Sequence, residues 1–363
     1  MREIYALELS LLAKELKRFE NFYIDKFYEI GEGAFRIRIS RSGDRAELIC
    51  AFKRGIWEAK EIPVQESATN FAMAMRKRVN GFLISKIEQA ANDRIILFKL
   101  SKGEARMSLA LEMLGKGNLI LLDENMKISL AYRQESFKDR DIRNGKAYSM
   151  PKNDFLPYES ISSIKQRAAL GGSIISVLSK AVNIGPLYLE EALARCNIDP
   201  KSAAASIPPP ALDRLIGVIS DIISNAGKDY FIYSRDGKLV DYSACVIKKY
   251  ENLVQTRLPG IMETIRDFYS NEVTKSTPKE NKELNDLLAS IEKQKKLVQE
   301  SDTMIESNKM AGEAIFSNMK EINRMIEKLQ KERRITKEDL QKTFDHIRII
   351  ELDLKNKTVT IEV

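Results

Sequence analysis

The first 150 residues begin with a helical pattern and continue with short segments of alternating apolar and polar residues. Apolar residues at helical spacing predict an amphipathic helix over 3–19 and a second helix over 68–79. A period of two predicts strands at 22–30, 34–40, 45–52, 55–59, 82–88, 94–100, 107–113, 118–123 and 128–132. The tetrapeptide Arg41-Ser42-Gly43-Asp44 is typical of a hairpin turn. Together these elements predict an α+β domain built mainly from antiparallel strands.

From residue 151 onwards the spacing of apolar residues changes from two to about 3.6. Helices are predicted at 161–170, 174–182, 187–196, 211–224 and 260–269. A hairpin is predicted within 230–248, around the turn Arg235-Asp236-Gly237. Residues 151–275 are therefore expected to form a second, mostly helical domain.

Residues 276–345 carry a heptad repeat. Apolar residues recur at stride seven in two rows: Leu284, Ile291, Val298, Ile305, Met319 and Ile326, with Leu287, Ile315, Ile322 and Leu329. This repeat predicts a long coiled-coil helix, and a helix packed on its own domain is the alternative. Polar or small residues on the seam predict a local break at 308–312. Strands at 347–352 and 358–363 begin a segment, 346–363, that the sequence does not complete, so we expect it to be part of a longer protein.

The formal charge of +7 is unevenly distributed. Basic residues exceed acidic ones by six in residues 1–150, by one in 151–275 and by none in 276–363. An excess of Lys and Arg in one domain favours a polyanionic partner there.

Several classes of protein do not fit the composition. No stretch approaches the ~20 apolar residues of a membrane span, and the N-terminus has no continuous apolar signal segment, so we expect a cytoplasmic protein with no membrane partner. Cys50, Cys196 and Cys245 are far apart and odd in number, which indicates buried thiols rather than a disulfide framework. With His346 as the single histidine, a histidine-based zinc site or a Ser-His-Asp triad is not expected.

Six motifs occur in a fixed order along the first 195 residues. They cover 70–78 (Asn-Phe-Ala-Met-Ala-Met-Arg-Lys-Arg), 92–95 (Asn-Asp-Arg-Ile), 111–121 (around Gly-Lys-Gly-Asn), 138–142, 145–151 and 185–195. In this order and spacing they resemble the NFACT family, also called the fibronectin-binding protein A family. The resemblance extends over essentially the whole chain. Lysine- and isoleucine-rich composition and the compact middle segment favour an archaeal source.

The resemblance implies a domain order. A mainly antiparallel β domain similar to the N-terminal domain of formamidopyrimidine-DNA glycosylases would occupy 1–150. A helix-hairpin-helix-like helical domain would occupy 151–275. The coiled coil and the start of a middle domain would occupy 276–345, with an incomplete β segment of that domain at 346–363. A coiled coil without its intramolecular partner could also pair between two copies of the chain.

The resemblance also implies a function. Members of the family bind the large ribosomal subunit that carries a stalled peptidyl-tRNA. They recruit tRNA and support template-free extension of the nascent chain with alanine-rich tails. Peptidyl transfer would be carried out by the ribosome, so no catalytic residue, cofactor or metal is expected in this chain.

The residues Asp93 and Arg94 match the Asp-Arg pair of the family, which is tied to tRNA recruitment. Arginine offers a planar fork of donors to phosphate or to a base edge, and aspartate can accept from a base amine. The alternative is an ion pair within the protein at the start of a strand.

Three further places are candidates for RNA contact. Arg76, Lys77 and Arg78 match a basic segment of the family near the end of a helix, where cations also favour the helix dipole without any ligand. Glu8 stands where the family usually has Asp, or it is a solvated helix residue. The turn Gly185-Pro186 could aim backbone N–H groups at phosphate, or it only connects packed helices.

Two other functional classes remain as alternatives. Kinship of fold suggests a nucleic-acid-binding relative of DNA glycosylases that acts on DNA. That chemistry commonly uses an N-terminal proline amine, whereas position 2 is Arg2, although Glu3 supplies a carboxylate. A surface adhesin for fibronectin has no support from an export signal or a disulfide framework.

Overall fold

The computed structural model describes residues 2–60, 69–169, 171–273, 282–332, 334–356 and 358–362. The chain forms two compact units, Met1–Thr277 and Pro278–Val363. The first unit combines a large antiparallel sheet with helices, which confirms the predicted α+β class.

The predicted alternation of strands and helices is found in the first unit. Its first part contains α1 (Ala6–Leu16), β1 (Tyr23–Gly31), β2 (Ala34–Arg41), β3 (Asp44–Ala51), β4 (Gly55–Glu58), α2 (Asn70–Val79), β5 (Leu83–Gln89), β6 (Ile95–Lys102), β7 (Ala105–Glu112), β8 (Asn118–Leu122), β9 (Ile128–Ala131), β10 (Glu135–Ser136) and β11 (Asp141–Ile142). Its second part contains α3 (Ile164–Ala168), α4 (Ile174–Ala181), α5 (Pro186–Cys196), α6 (Pro209–Asn225), β12 (Tyr230–Arg235), β13 (Lys238–Ser243), β14 (Val254–Leu258) and α7 (Ile261–Val273).

The main sheet has the order β4-β3-β2-β1-β5-β6-β7-β8-β9. Consecutive strands pair as antiparallel hairpins on each side, and the two halves meet at β1 and β5. Four backbone hydrogen bonds make this junction. The backbone N–H of Ile24 donates to the carbonyl of Phe82 at 2.8 Å, and the carbonyl of Ile24 accepts from the N–H of Gly81 at 2.7 Å. In the same way, the N–H of Ile84 donates to the carbonyl of Phe22 at 2.8 Å, and the carbonyl of Ile84 accepts from the N–H of Asn21 at 2.8 Å. The junction therefore has the pattern of a two-fold axis.

Apolar and polar residues alternate along the strands, and the face of the sheet that carries the apolar residues is buried. In β2, Phe35, Ile37 and Ile39 lie in the core together with the apolar stripe of α1. The turn before β3 has positive φ angles at Ser42 and Gly43, as the predicted hairpin requires. The hairpin prediction is therefore confirmed.

The last helix of the first unit connects the helical part back to the N-terminus. The backbone N–H groups of Ile261 and Met262, at the start of α7, donate to the Glu15 carboxylate of α1 at 2.7 and 3.0 Å. The Tyr269 hydroxyl donates to the carbonyl of Arg2 at 2.7 Å. One hydrophobic core contains residues from both sides of position 150, and the division into domains at that position stays a prediction.

The second unit contains α8 (Lys282–Ser317), α9 (Met319–Lys331), α10 (Lys337–Thr343), β15 (Arg348–Asp353) and β16 (Thr358–Glu362). The predicted break at 308–312 is wrong, because α8 runs through these residues and ends at Ser317. The interruption lies at Asn318, whose Nδ2 donates to the carbonyl of Ala314 at 2.9 Å and competes with the helical backbone.

The apolar seam of α8 is exposed wherever its side chains are described. The exposed fraction is 45% for Ile291, 60% for Val298 and 64% for Ile305. The seam residues Leu284 and Leu287 lie outside the described side chains. A coiled coil is therefore not shown, and pairing of this seam stays a prediction.

Candidate RNA-binding cleft

A cleft of about 440 Å³ joins the N-terminal segment, the β5–β6 loop and the start of α5. It is lined by Arg2, Glu3, Tyr5, Ala6, Arg94, Asn183, Gly185, Pro186 and Asp241. Three residues singled out from the sequence, Arg94, Gly185 and Pro186, thus line one cleft. Asp93 and Glu8 contact residues of its lining.

The Asp93 side chain is buried next to the cleft and serves to shape the loop. Its Oδ1 accepts from the backbone N–H of Arg94 at 2.7 Å and from Nδ2 of Asn183 at 3.4 Å. Its Oδ2 accepts from Nδ2 of Asn153 at 3.0 Å. Because protein donors occupy both oxygens, the chemical effect of Asp93 in this arrangement is to fix the loop that presents Arg94.

The Arg94 guanidinium lies at the cleft with 23% of its side chain exposed. Its Nη1 donates to Oε2 of Glu3 at 2.5 Å, and Nζ of Lys53 lies 2.8 Å from the other oxygen of Glu3. Burial alone would raise the pKa of Glu3, but the hydrogen bonds from Lys53 and Arg94 hold that pKa below its ordinary value. The ion pair considered as an alternative exists, with Glu3 rather than Asp93 as its acid. Of the three guanidinium nitrogens of Arg94, only Nη1 has an acceptor among the described residues. The other donors of the guanidinium are therefore available to a ligand.

Glu8 is fully buried, so its interpretation as a solvated helix residue is wrong. Its carboxylate accepts from the backbone N–H of Tyr5 at 3.0 Å, from the Tyr188 hydroxyl at 2.7 Å and from Arg2. Burial raises the pKa of the Glu8 carboxyl, although the charge of Arg2 and these hydrogen bonds oppose the rise. The Tyr188 hydroxyl in turn accepts from the N–H of Ala244 at 2.9 Å. Glu8 therefore ties α1 to α5.

Arg2 is a residue of the cleft that the sequence patterns did not reveal. Its guanidinium lies 4.2 Å from the ring centre of Tyr5 and 3.9 Å from that of Tyr242. It also pairs with Glu8, and with Asp241 at 2.9 Å. Two of these partners come from β13, far away in sequence, so no local motif could have indicated them.

The Gly185-Pro186 turn is required by packing against the N-terminal segment. Gly185 has a φ of 98°, and a Cβ there would lie 2.6 Å from Cδ2 of Tyr5. Pro186 is the first residue of α5, where its missing N–H costs no helical hydrogen bond. The close approach to Tyr5 brings the N-terminal end of α5 to the cleft.

The basic segment of α2 lies apart from the cleft lining. Arg76 donates from Nε to the carbonyl of Phe27 at 2.5 Å, and its guanidinium stands 4.3 Å from the ring centre of Tyr28. Arg78 donates to the carbonyl of Ala74 at 3.1 Å, whereas Lys77 is exposed. Of the three cations, Lys77 is thus the most available to an external partner.

A second cleft, of about 660 Å³, is lined by the motifs at 112–118 and 135–140. Arg140 donates to both oxygens of Glu112 at 2.6 and 2.8 Å, and the Tyr148 hydroxyl donates to Glu112 at 2.8 Å. The basic and acidic side chains of its lining balance, so the cleft has no net charge to attract phosphate.

The described residues contain no group of three or more His, Cys, Asp or Glu side chains placed to hold a metal ion. None of the helices described has the length and apolar character that crossing a bilayer requires. Burial raises the pKa of the Cys50 thiol to about 12, as expected for an inert buried cysteine, while Cys196 and Cys245 are half-buried.

The first unit combines a sheet and helices around a cleft, and the second unit begins with a long helix. The family model of the NFACT N-terminal and middle domains matches residues 6–361. The chain therefore belongs to the NFACT family.

Curated relatives have names from ribosome quality control. The archaeal Rqc2 homolog aRqcH of Methanocaldococcus jannaschii is 24% identical over 91% of this chain and 52% of its own length. The ribosome quality control complex subunit 2 of Saccharomyces cerevisiae is 27% identical over 41% of this chain and 14% of its own length. The chain thus spans about half the length of the first of these relatives and less of the second.

A solved structure has a similar fold over most of this chain. The crystal structure of the fibrinogen binding protein from Staphylococcus aureus superposes with a TM-score of 0.60 and 18% identity, over 73% of this chain and 98% of that one. At this level of identity the likeness concerns the fold alone. The predicted kinship with the N-terminal domain of formamidopyrimidine-DNA glycosylases stays a prediction.

Proposed function

We propose that this chain is part of a cytoplasmic ribosome-associated quality-control factor. It binds the large ribosomal subunit with a stalled peptidyl-tRNA and recruits tRNA for template-free, alanine-rich tailing of the nascent chain. The names of the relatives support the role in ribosome quality control. The ribosome carries out peptidyl transfer, and the chain acts by binding and positioning RNA, without a cofactor.

The observation that carries the proposal is the position of Arg94 at the cleft. Asp93 holds the backbone of the loop, and Glu3 holds one end of the Arg94 fork. Arg94 then presents its other donors in a fixed orientation, so less side-chain entropy is lost when RNA binds. A guanidinium of this kind can donate to phosphate or, as a pair of hydrogen bonds, to a base edge.

Arg94→Ala is expected to weaken tRNA binding roughly 10- to 100-fold, since hydrogen bonds from a charged donor contribute about 1.5–3 kcal/mol. The melting temperature should change little, because Lys53 still neutralises Glu3. Fluorescence anisotropy with labelled tRNA at constant salt measures the affinity. Sedimentation with isolated large ribosomal subunits measures subunit binding, the other part of the proposal. The Arg94→Ala protein should retain this binding.

Two variants control this experiment. Arg94→Lys keeps the charge and loses the planar fork, so its affinity should fall between those of the wild type and Arg94→Ala. Arg235→Ala removes an exposed arginine that is not part of the cleft lining and should leave tRNA affinity unchanged. Equal affinities of the wild type and Arg94→Ala would refute the assignment of the cleft. Asp93 is unsuitable for the purpose, because its removal would take the side-chain acceptor away from the backbone N–H of Arg94 and disturb the loop that presents Arg94.

A further inference from the structure

The outward face of the main sheet carries a row of residues that crosses six strands. Successive cross-strand partners from β3 to β7 by way of β1 and β5 are Arg45, Ser40, Tyr23, Leu83, Ser101 and Arg106. Their sequence neighbours Ile39 and Leu100 point to the opposite side, into the core. The row begins and ends with an exposed arginine, and Tyr23 near its centre is 49% exposed.

The row follows the two-fold pattern of the β1–β5 junction. Arg45 corresponds to Arg106, Ser40 to Ser101, and Tyr23 to Leu83, because each pair is equally distant from the junction in the ladder. With neighbouring strands about 4.8 Å apart, the two arginines are roughly 24 Å apart. The face is thus broad, and among the described residues Arg45, Tyr23 and Arg106 are exposed on it.

Like charges stand directly opposite one another on both sides of this row. Lys26 of β1 is the ladder partner of Arg38 of β2. At the corresponding place in the other half, Lys86 of β5 is the partner of Lys99 of β6. Like charges in such positions destabilise a sheet, so these residues contribute nothing favourable to the fold by facing each other.

Carboxylates offset only part of this charge. Glu47 accepts from Arg38 at 2.6 Å, Glu88 lies 2.5 Å from Nζ of Lys86, and Asp25 accepts from the Ser40 hydroxyl. Within the part of the chain that the structure describes, the charge of Glu20 also acts on Lys86, so four acids stand against six basic residues, the two arginines at the ends of the row and the two like-charged pairs. The excess positive charge of residues 1–150 is therefore partly concentrated on one open surface.

We propose that this surface, here named the basic sheet face, docks on the phosphate backbone of ribosomal RNA in the large subunit. The proposal rests on the proposed function, in which the chain contacts both tRNA and the large ribosomal subunit. It assigns the contact with the subunit to the basic sheet face. A wide basic surface suits the backbone and ribose hydroxyls of helical RNA, which proteins recognise mainly by shape. The cleft at Arg94, in contrast, is of a size to take individual nucleotides of tRNA. Tyr23 provides an aromatic ring for contact with a ribose or an unpaired base.

The test replaces one lysine in each half, as Lys26→Gln with Lys86→Gln. Affinity for isolated large subunits should fall roughly tenfold or more, and the slope of log affinity against log salt should decrease by about 1–2, as counterion release predicts for two lost phosphate contacts. The melting temperature should change little, because each substitution removes a like-charge contact and Lys86→Gln also removes the exposed ion pair with Glu88. Binding of free tRNA should be unchanged.

The matched control is Lys127→Gln with Lys238→Gln, which removes two exposed lysines from outside the face. It should bind subunits like the wild type. An equal loss in the control, or no loss in the face variant, would overturn the proposal. A face variant that loses tRNA binding but keeps subunit binding would also overturn the proposal. In that case the test of the cleft by Arg94→Ala would remain valid. A photo-crosslinking amino acid in place of Tyr23 should label ribosomal RNA, and labelling of ribosomal protein alone would refute the RNA contact.

Discussion

Replacement of Glu8 by alanine is expected to lower the free energy of unfolding by about 3–5 kcal/mol, the usual cost of removing one partner of a buried ion pair. The Glu8 carboxylate is the acceptor for three donors, and the Arg2 guanidinium would stay buried with Asp241 as its remaining acid. Chemical denaturation with a fluorescence or circular dichroism signal measures the loss. The cleft should be disturbed in parallel, so tRNA binding is expected to weaken as well.

Glu8→Gln provides the informative control. Glutamine keeps nearly the same volume and one acceptor oxygen, which can serve either the Tyr5 N–H or the Tyr188 hydroxyl, so it should destabilise less than alanine. Lys14→Ala on the exposed side of the same helix should change stability by less than about 0.5 kcal/mol. A Glu8→Ala protein as stable as the Lys14→Ala protein would show that the buried network does not hold α1 to α5.

Gly185→Ala is the second change with a large expected effect, about 2–5 kcal/mol of stability. A side chain at the positive φ of Gly185 is strained, and the added carbon would overlap the ring of Tyr5. The start of α5 would have to move away from the N-terminal segment, which opens the cleft. Thermal unfolding and tRNA affinity should both report this change.

A double variant separates the two causes of that loss. Tyr5→Gly with Gly185→Ala removes both the ring and the Cβ of residue 5, which relieves the overlap but not the backbone strain. The two substitutions should therefore cost less together than the sum of their separate costs. Gly217→Ala in α6 is the control, because a Cβ there meets no atom within 4 Å, and it should be neutral or stabilising. Additive losses in the double variant would contradict the overlap.

Local patterns predicted most of the first unit, and the misses have physical reasons. The strands of the main sheet alternate because one face is buried, so their pattern is visible in the sequence. The strand β14 was missed because its residues are nearly all exposed and have no apolar alternation. The helix break was misplaced because Gly312 lies on an exposed helix, where glycine weakens a helix without interrupting it.

The candidate site was only partly visible from the sequence. Motifs indicated Arg94 and Gly185, whose neighbours in sequence form recognisable turns. The contacts of Glu3 with Arg94, and of Arg2 with Asp241, join residues that are distant in sequence. Such pairs have no local signature, and without the fold Glu3 could not be recognised as the residue that orients Arg94.

The β1–β5 junction also has a consequence for the order of folding. Each half of the main sheet is made of hairpins between consecutive strands, which close short loops and can form early. The junction joins Tyr23 to Leu83 through four backbone hydrogen bonds, so it closes a much longer loop for few contacts. We therefore expect two hairpin halves to form first and to associate later, with substitutions at the junction slowing that late step.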